Sequence, residues 1–313
     1  MKRVAFMFPG QGSQAVGMGK VFYDRYPDMK ELYQEANQTL NRDITKLMFE
    51  GPKEELTETE NAQPALLLSS IAIHTLLLKE QIQPVMTVGH SLGEYSALVA
   101  AGSIPLEKAL PLVATRGKLM EEAFPKGQGT MAAVLGLSEK EIENALQQVS
   151  EDYIVDIANL NSPGQIVISG SKEGIEQASA ILKENGAKRI LPLNVSGPFH
   201  SRLMKTANTA FTRYLDETEI KPASIPIYAN VSAAPVTESN QIKDLLIKQL
   251  YSPVRFEESI RHMMDQGIDA FVEVGNGKVL SGLVKKINRR IPTFAVQDIE
   301  SMNDFISWYR EES

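Results

Sequence analysis

Apolar runs and amphipathic stretches alternate along the first 125 residues. Val4 to Phe8 are all apolar, as in a strand covered on both faces. Pro9 to Gly19 is a Gly-rich loop. Helical spacing follows from Val21 to Leu40 and again from Gln63 to Lys79. Pro84 to Val88 is a short strand. Leu92 to Ala101 is a helix with Gly102 in the C-capping position, and Pro105 to Ala123 is another. This β-α-α-β-α order predicts an α/β fold with a parallel sheet covered by helices.

The pattern changes after Pro125-Lys126-Gly127-Gln128-Gly129. Strands are expected at Thr130 to Leu135, Tyr153 to Ala158, Gln165 to Ser169 and Ile190 to Val195. Helices are expected at Ser138 to Val149, opened by a Ser138/Glu141 capping box, and at Lys172 to Asn185. Asn159 to Gly164 reads as the loop between two of the strands. The β-α-β-β-α-β order is the ferredoxin-like split motif, so residues 126–196 are expected to form a small inserted domain. Residues 1–125 and 197–313 would then make the large one. A helix is expected from Ser201, with Leu203, Ala207, Ala210, Phe211 and Tyr214 on its apolar face. Ile225 to Ala229, Ala270 to Val274 and Phe294 to Val296 would return to the main sheet.

Composition narrows the function. The 313-residue chain carries a net charge of −7, which argues against nucleic acid as a general partner. It has no cysteine, which removes disulfides, thiolate metal sites and a Cys nucleophile. The apolar run Ala65 to Leu78 falls short of the roughly 20 residues of a membrane span. It is expected to be a buried core helix, and no membrane insertion is expected. The N-terminal apolar stretch is too short for a signal peptide, so the cytoplasm is the default location.

The run Gly89-His90-Ser91-Leu92-Gly93 between strand and helix matches a nucleophile elbow. Such a turn lifts the Ser91 hydroxyl toward free N–H groups at a helix N-terminus, where an oxyanion can be stabilised. A serine nucleophile needs a base, and the chain has four histidines. His74 falls inside an apolar helix, His90 adjoins Ser91 on a turn where neighbours point apart, and His262 lies beside an apolar helical face. His200, on a loop before a helix, is left as the candidate base. The positive helix end would keep its ring neutral.

Arg116 is the second sharp signal. At about 100° per residue it is the only charge inside the apolar arc of its helix. A buried guanidinium needs either an internal carboxylate or an anionic ligand. Its planar fork suits a carboxylate carried by an acyl group. The Gly10-x-Gly12 loop imitates a dinucleotide fingerprint, but the required second strand and acid are missing, because residues 24–40 look helical. A backbone N–H at Gln11 completing an oxyanion hole is the alternative.

Gly10-Gln11-Gly12-Ser13-Gln14, the Gly89 to Tyr95 run, Arg116, Asn161-Ser162-Pro163-Gly164-Gln165, Pro198-Phe199-His200-Ser201 and Val274 to Leu280 occur in a telling order. Over essentially its whole length the chain resembles the malonyl-CoA:acyl-carrier-protein transacylases. The resemblance implies a hydrolase-like α/β core with a ferredoxin-like insert. It implies Ser91 as nucleophile, His200 as base, Arg116 on the malonyl carboxylate, and the N–H groups of Gln11 and Leu92 as oxyanion hole. Gln249 would supply the carbonyl that orients His200, Asn161 would belong to the supporting shell, and Phe199 would favour malonyl over methylmalonyl. The implied partners are malonyl-CoA and an acyl carrier protein that brings its own phosphopantetheine, with no metal or other cofactor. Lys188-Arg189, Lys285-Lys286 and Arg289-Arg290 are candidate docking charges for the acidic carrier. A polyketide acyltransferase and a serine thioesterase or esterase are the alternatives.

Overall fold

The computed structural model describes residues 2–311. Among the described residues, ten strands form two sheets. In chain order they are β1 (Val4–Phe8), β2 (Met86–Gly89), β3 (Gly129–Leu135), β4 (Val155–Ser162), β5 (Gln165–Ser171), β6 (Arg189–Pro192), β7 (Ile227–Tyr228), β8 (Pro235–Val236), β9 (Ala270–Val274) and β10 (Thr293–Val296).

The larger sheet has the order β10-β9-β1-β2-β7-β8. It is parallel except for the edge pair β7–β8. β1 lies inside it and every residue of β1 is buried. Alternate side chains serve different faces. Val4, Phe6 and Phe8 join the larger core with Leu66 and Ile73, while Ala5 and Met7 pack with Phe256, Ile260 and Leu283. The helix Thr59–Lys79 is long and apolar enough to cross a membrane, yet 89% of its apolar 18-residue window is buried within the protein. It is the core helix expected from the sequence. It packs against the helix Leu106–Glu122, and Gly117 permits the contact: a Cβ there would sit 2.6 Å from the Thr59 carbonyl oxygen.

The second sheet has the order β4-β5-β3-β6 and is antiparallel throughout. With the helices Glu139–Leu146 and Lys172–Glu184 it has the β-α-β-β-α-β sequence anticipated for this stretch. Ser138 and Glu141 form the anticipated capping box. Backbone bonds from Leu160 N to Val254 O (2.9 Å) and from Val254 N to Ala158 O (2.8 Å) join the second sheet to the larger body. The mouth between them opens beyond the carboxyl ends of β1 and β2, where ligands of open α/β sheets bind.

Several elements differ from expectation. The stretch 21–40 is two helices, Lys20–Arg25 and Pro27–Leu40, because Tyr26 is extended (φ −116°, ψ 117°) before Pro27. Asn159 to Ser162 belongs to β4 rather than to a loop, leaving Pro163-Gly164 as a tight turn. The helix after His200 begins at Lys205, behind a short 3-10 turn at Arg202–Met204. Its buried face is Ala207, Phe211 and Leu215, while Tyr214 points to solvent. The helices Ile44–Glu50 and Ser239–Gln249 and the strand β8 carried no signal used in the sequence reading.

Gly117→Ala forces the two core helices apart and should destabilise the fold by about 1–3 kcal/mol. Urea unfolding measures this; a midpoint equal to the parent's would mean that the helix pair yields without strain.

Candidate active site

β2 ends at Gly89, and the chain turns through Ser91 in the left-handed region (φ 52°) before the helix Gly93–Ala100. That conformation is costly for a residue with a Cβ. Gly93 makes the turn possible, since a Cβ there would meet the Phe8 carbonyl oxygen at 2.0 Å. Asn230, just past β7, pins the turn from both sides: its Oδ1 accepts from Ser91 N–H (2.8 Å) and its Nδ2 donates to Gly89 O (2.6 Å).

Ser91 Oγ lies 2.8 Å from His200 Nε2. His200 Nδ1 donates to the main-chain carbonyl of Gln249 at 2.9 Å, leaving Nε2 as the acceptor for the serine proton. Among the described residues no carboxylate bonds to His200. A backbone carbonyl stands where a triad acid would. His200 is buried, and its pKa falls to about 3, first through burial and then through the Arg116 charge. This corrects the cause inferred from the sequence, because the helix itself starts five residues further on. The ring is neutral for the reason of burial beside a cation.

Arg116 is 1% exposed, and no carboxylate is within ion-pair distance of it among the described residues. Its Nη1 donates to Gln63 Oε1 (2.9 Å); its Nη2 donates to Gln249 Oε1 (3.0 Å) and to Ser91 Oγ (3.1 Å). The guanidinium also lies 5.3 Å from the centroid of the Tyr95 ring. Neutral amides thus hold the cation beside the serine, and its charge stays uncompensated by direct contact. Gln249 is fully buried and spends its amide here as well: Nε2 donates to Ser91 O (3.0 Å) and Glu94 Oε2 (2.7 Å).

Gln11 sits on the loop after β1, with its side chain donating to Thr59 Oγ1 at 3.2 Å. Thr59 Oγ1 also meets Ser196 Oγ at 3.3 Å, and Ser196 donates to Glu121 Oε1 at 3.3 Å. The oxyanion loop and the segment leading to His200 therefore share one anchor. The N–H groups of Gln11 and Leu92 make no hydrogen bond among the described residues. They remain available as a donor pair. Asn276 donates to Ser13 O at 2.5 Å and braces the same loop.

Ser91, His200 and the Gln11 loop open on a cavity of about 330 Å³, with Arg116 and Gln249 behind its wall. Gln11, His90, Ser91, Asn161, Phe199 and His200 line it, with Met120, Met131 and Val195 among its apolar walls. Asn161 Oδ1 accepts from His90 Nε2 at 2.8 Å, so His90 supports the wall rather than Ser91. His74 is a core residue edge-on to Phe6 and Phe8, and His262 donates to Ala233 O at 2.8 Å on the surface. Among the described residues no group of His, Asp and Glu has the makings of a metal site. The sequence reading missed Asn230, Gln63 and Glu94. Glu94 had a signal, since it is the one charge on an otherwise apolar helix.

The acyl transferase domain family matches residues 5–304. The malonyl CoA-acyl carrier protein transacylase of Bacillus subtilis is 52% identical over 314 residues, covering 100% of this chain and 99% of that one. The chain belongs to the malonyl-CoA:acyl-carrier-protein transacylase family. An acyl carrier protein S-malonyltransferase from Vibrio cholerae superposes with a TM-score of 0.95 at 44% identity, covering 97% of this chain and 99% of that one. A malonyl-transacylase solved in complex with its type II polyketide-synthase acyl carrier protein also gives 0.95, at 40% identity and with 97% and 99% coverage. The α/β fold anticipated from the sequence agrees with these transacylase structures.

Burial keeps His200 neutral in mildly acidic solution. Imidazole nitrogen NMR at pH 5 should find its ring uncharged with the proton on Nδ1, whereas an ordinary histidine would be protonated there. A charged ring at that pH contradicts the assignment.

Proposed function

We propose that this chain moves a malonyl group from malonyl-CoA to the phosphopantetheine thiol of an acyl carrier protein, by way of a malonyl ester on Ser91. The observation that carries the reading is the meeting of three groups: Ser91 Oγ lies 2.8 Å from His200 Nε2 and 3.1 Å from Arg116 Nη2. His200 takes the serine proton as Oγ attacks the thioester carbonyl. The oxyanion faces the N–H groups of Gln11 and Leu92. CoA leaves as the thiol with the proton returned by His200, and the carrier thiol reverses the sequence. Once Oγ becomes an ester oxygen it is a poorer acceptor, so Arg116 Nη2 is released toward the substrate carboxylate. Phe199 and Met120 bound the space beside the acyl group. The steps use thioester, hydroxyl and thiol alone, so neither metal nor redox cofactor enters.

The carrier must reach the mouth of the cavity. Val279 and Leu283 line that mouth from the helix Val279–Ile287, which also bears the exposed pair Lys285-Lys286. Lys286 donates to Gln165, another lining residue, at 2.6 Å. A basic rim suits an acidic carrier despite the net charge of −7. Lys188-Arg189 and Arg289-Arg290 are also exposed. We further propose residues 126–196 as an inserted ferredoxin-like domain, and the cytoplasm as the setting. The thioesterase and esterase alternatives gain nothing from the relatives described above, which are named as carrier-protein transacylases or malonyltransferases.

Ser91→Ala should form no malonyl-protein adduct by mass spectrometry; an adduct at full yield would remove Ser91 from the reaction. Arg116→Ala should lower the ratio of malonyl to acetyl adduct by roughly 10–100-fold. An unchanged ratio in a competition between the two thioesters would mean that Arg116 does not read the carboxylate.

A further inference from the structure

Glu94 is a buried acid next to the site that the transfer chemistry does not use. It is 3% exposed. Its Oε2 accepts from Gln249 Nε2 at 2.7 Å and from Asn230 N–H at 3.1 Å. The other end of the Gln249 amide, Oε1, accepts from Arg116 Nη2 at 3.0 Å. One neutral amide therefore separates a buried carboxyl from a buried guanidinium.

With the serine free, the ionised acid and Arg116 balance. A malonyl ester brings a second carboxylate to the same guanidinium, in a pocket closed to water on the Glu94 side. One cation then faces two anions, and a buried charge without compensation is strongly unfavourable. A like charge nearby favours the neutral form of a carboxyl. We propose that Glu94 takes up one proton when the malonyl ester forms on Ser91, and that this exchange of one carboxylate for another sets the preference for acyl groups carrying a negative charge. The proposal rests on the reading of Arg116 as the group that receives the malonyl carboxylate.

Glu94 is already prepared for the exchange. Burial raises its pKa to about 7, against the lowering effect of its hydrogen bonds and of Arg116. The charged and titratable groups facing this cluster are Arg116 from the neighbouring helix, Tyr95 from its own helix, and His200 and His90 beyond Arg116. Burial pushes Tyr95 upward, and lowers His200 to about 3 and His90 below its ordinary value. Gln249 and Asn230 do not titrate. The sign follows: below neutrality Glu94 is protonated and Arg116 is free for the substrate; above it Glu94 competes. Malonyl should therefore gain on acetyl as pH falls from about 9 to 7, by up to about tenfold per pH unit for one linked proton, and the gain should level off below 7, where Glu94 is already protonated in the free enzyme.

Transfer of an acyl group from the CoA thioester to the serine hydroxyl breaks one O–H, forms one S–H on the released CoA, and consumes no proton. Any uptake therefore belongs to the protein, and acetyl loading serves as the reference. The experiment loads the enzyme with equimolar malonyl-CoA or acetyl-CoA at pH 7.5 in dilute buffer with an indicator dye. Malonyl loading should take up as much as one proton more than acetyl loading, and Glu94→Gln should abolish the difference and flatten the pH dependence of the malonyl-to-acetyl adduct ratio. No difference in the parent, or the same uptake in Glu94→Gln, overturns the proposal; the latter moves the proton to another group such as His200. Should the variant not fold, infrared difference spectra of the parent decide: a new acid carbonyl band must appear on malonyl but not on acetyl loading. Failure of the Arg116 reading is distinguishable, because Arg116→Ala would then keep its malonyl preference whatever the protons do.

Discussion

The site depends on how completely one buried residue, Gln249, is used. Its main-chain carbonyl orients His200, its Oε1 receives Arg116, and its Nε2 reaches both the carbonyl of Ser91 and the carboxyl of Glu94. An amide has a donor end and an acceptor end. With the donor end facing three oxygens, Asn230 Oδ1 at 3.3 Å being the third, its orientation is determined, and the acceptor end faces the guanidinium. Base, nucleophile and cation are thereby registered to one another through a residue that needs no contact with substrate. This explains how the histidine manages without a triad acid. A fixed carbonyl selects the tautomer, and burial keeps the ring neutral.

Charge is handled with the same economy. Arg116 is surrounded by amides and an aromatic face rather than by a carboxylate in contact. A tight internal ion pair would have satisfied it and left nothing for an incoming anion. Amide oxygens solvate the cation enough to keep it inside the fold without a carboxylate in contact. The preference for a charged acyl group then follows from a cation whose counter-charge stands one amide away and not in contact.

Much of this was legible in the chain. The Gly89 to Gly93 turn, the charge of Arg116 within an apolar arc, and the elimination that left His200 all rested on local pattern, and the structure brings the three side chains together. The capping box at Ser138 was equally readable, because cap and partner are three residues apart. What escaped were residues whose meaning comes from distant neighbours. Asn230 looks like an ordinary turn residue until it is seen holding Ser91 and Gly89. Gln63 sits in a helix whose remaining interior is largely apolar, and nothing near it in sequence announces Arg116. Glu94 could have been found by the reasoning applied to Arg116. The break at Tyr26 could also have been found, since Pro27 disfavours helix in the residue before it.

The bond from Gln249 Nε2 to the Ser91 carbonyl joins residues 158 positions apart, and that from Gln11 to Thr59 reaches back to the first loop. Contacts of such long sequence separation form only after the intervening chain has been gathered, and they make folding slow. The strained turn at Ser91 has local bonds from Gly93 N–H to His90 O (2.9 Å) and from Glu94 N–H to Ser91 O (3.0 Å), but its remaining restraints arrive from Asn230 and Gln249, late in the sequence. On the ribosome, the residues that restrain the serine follow it by more than a hundred positions. The geometry of Ser91 is thus a property of the assembled molecule, and an emerging chain lacks it until Gln249 has been made.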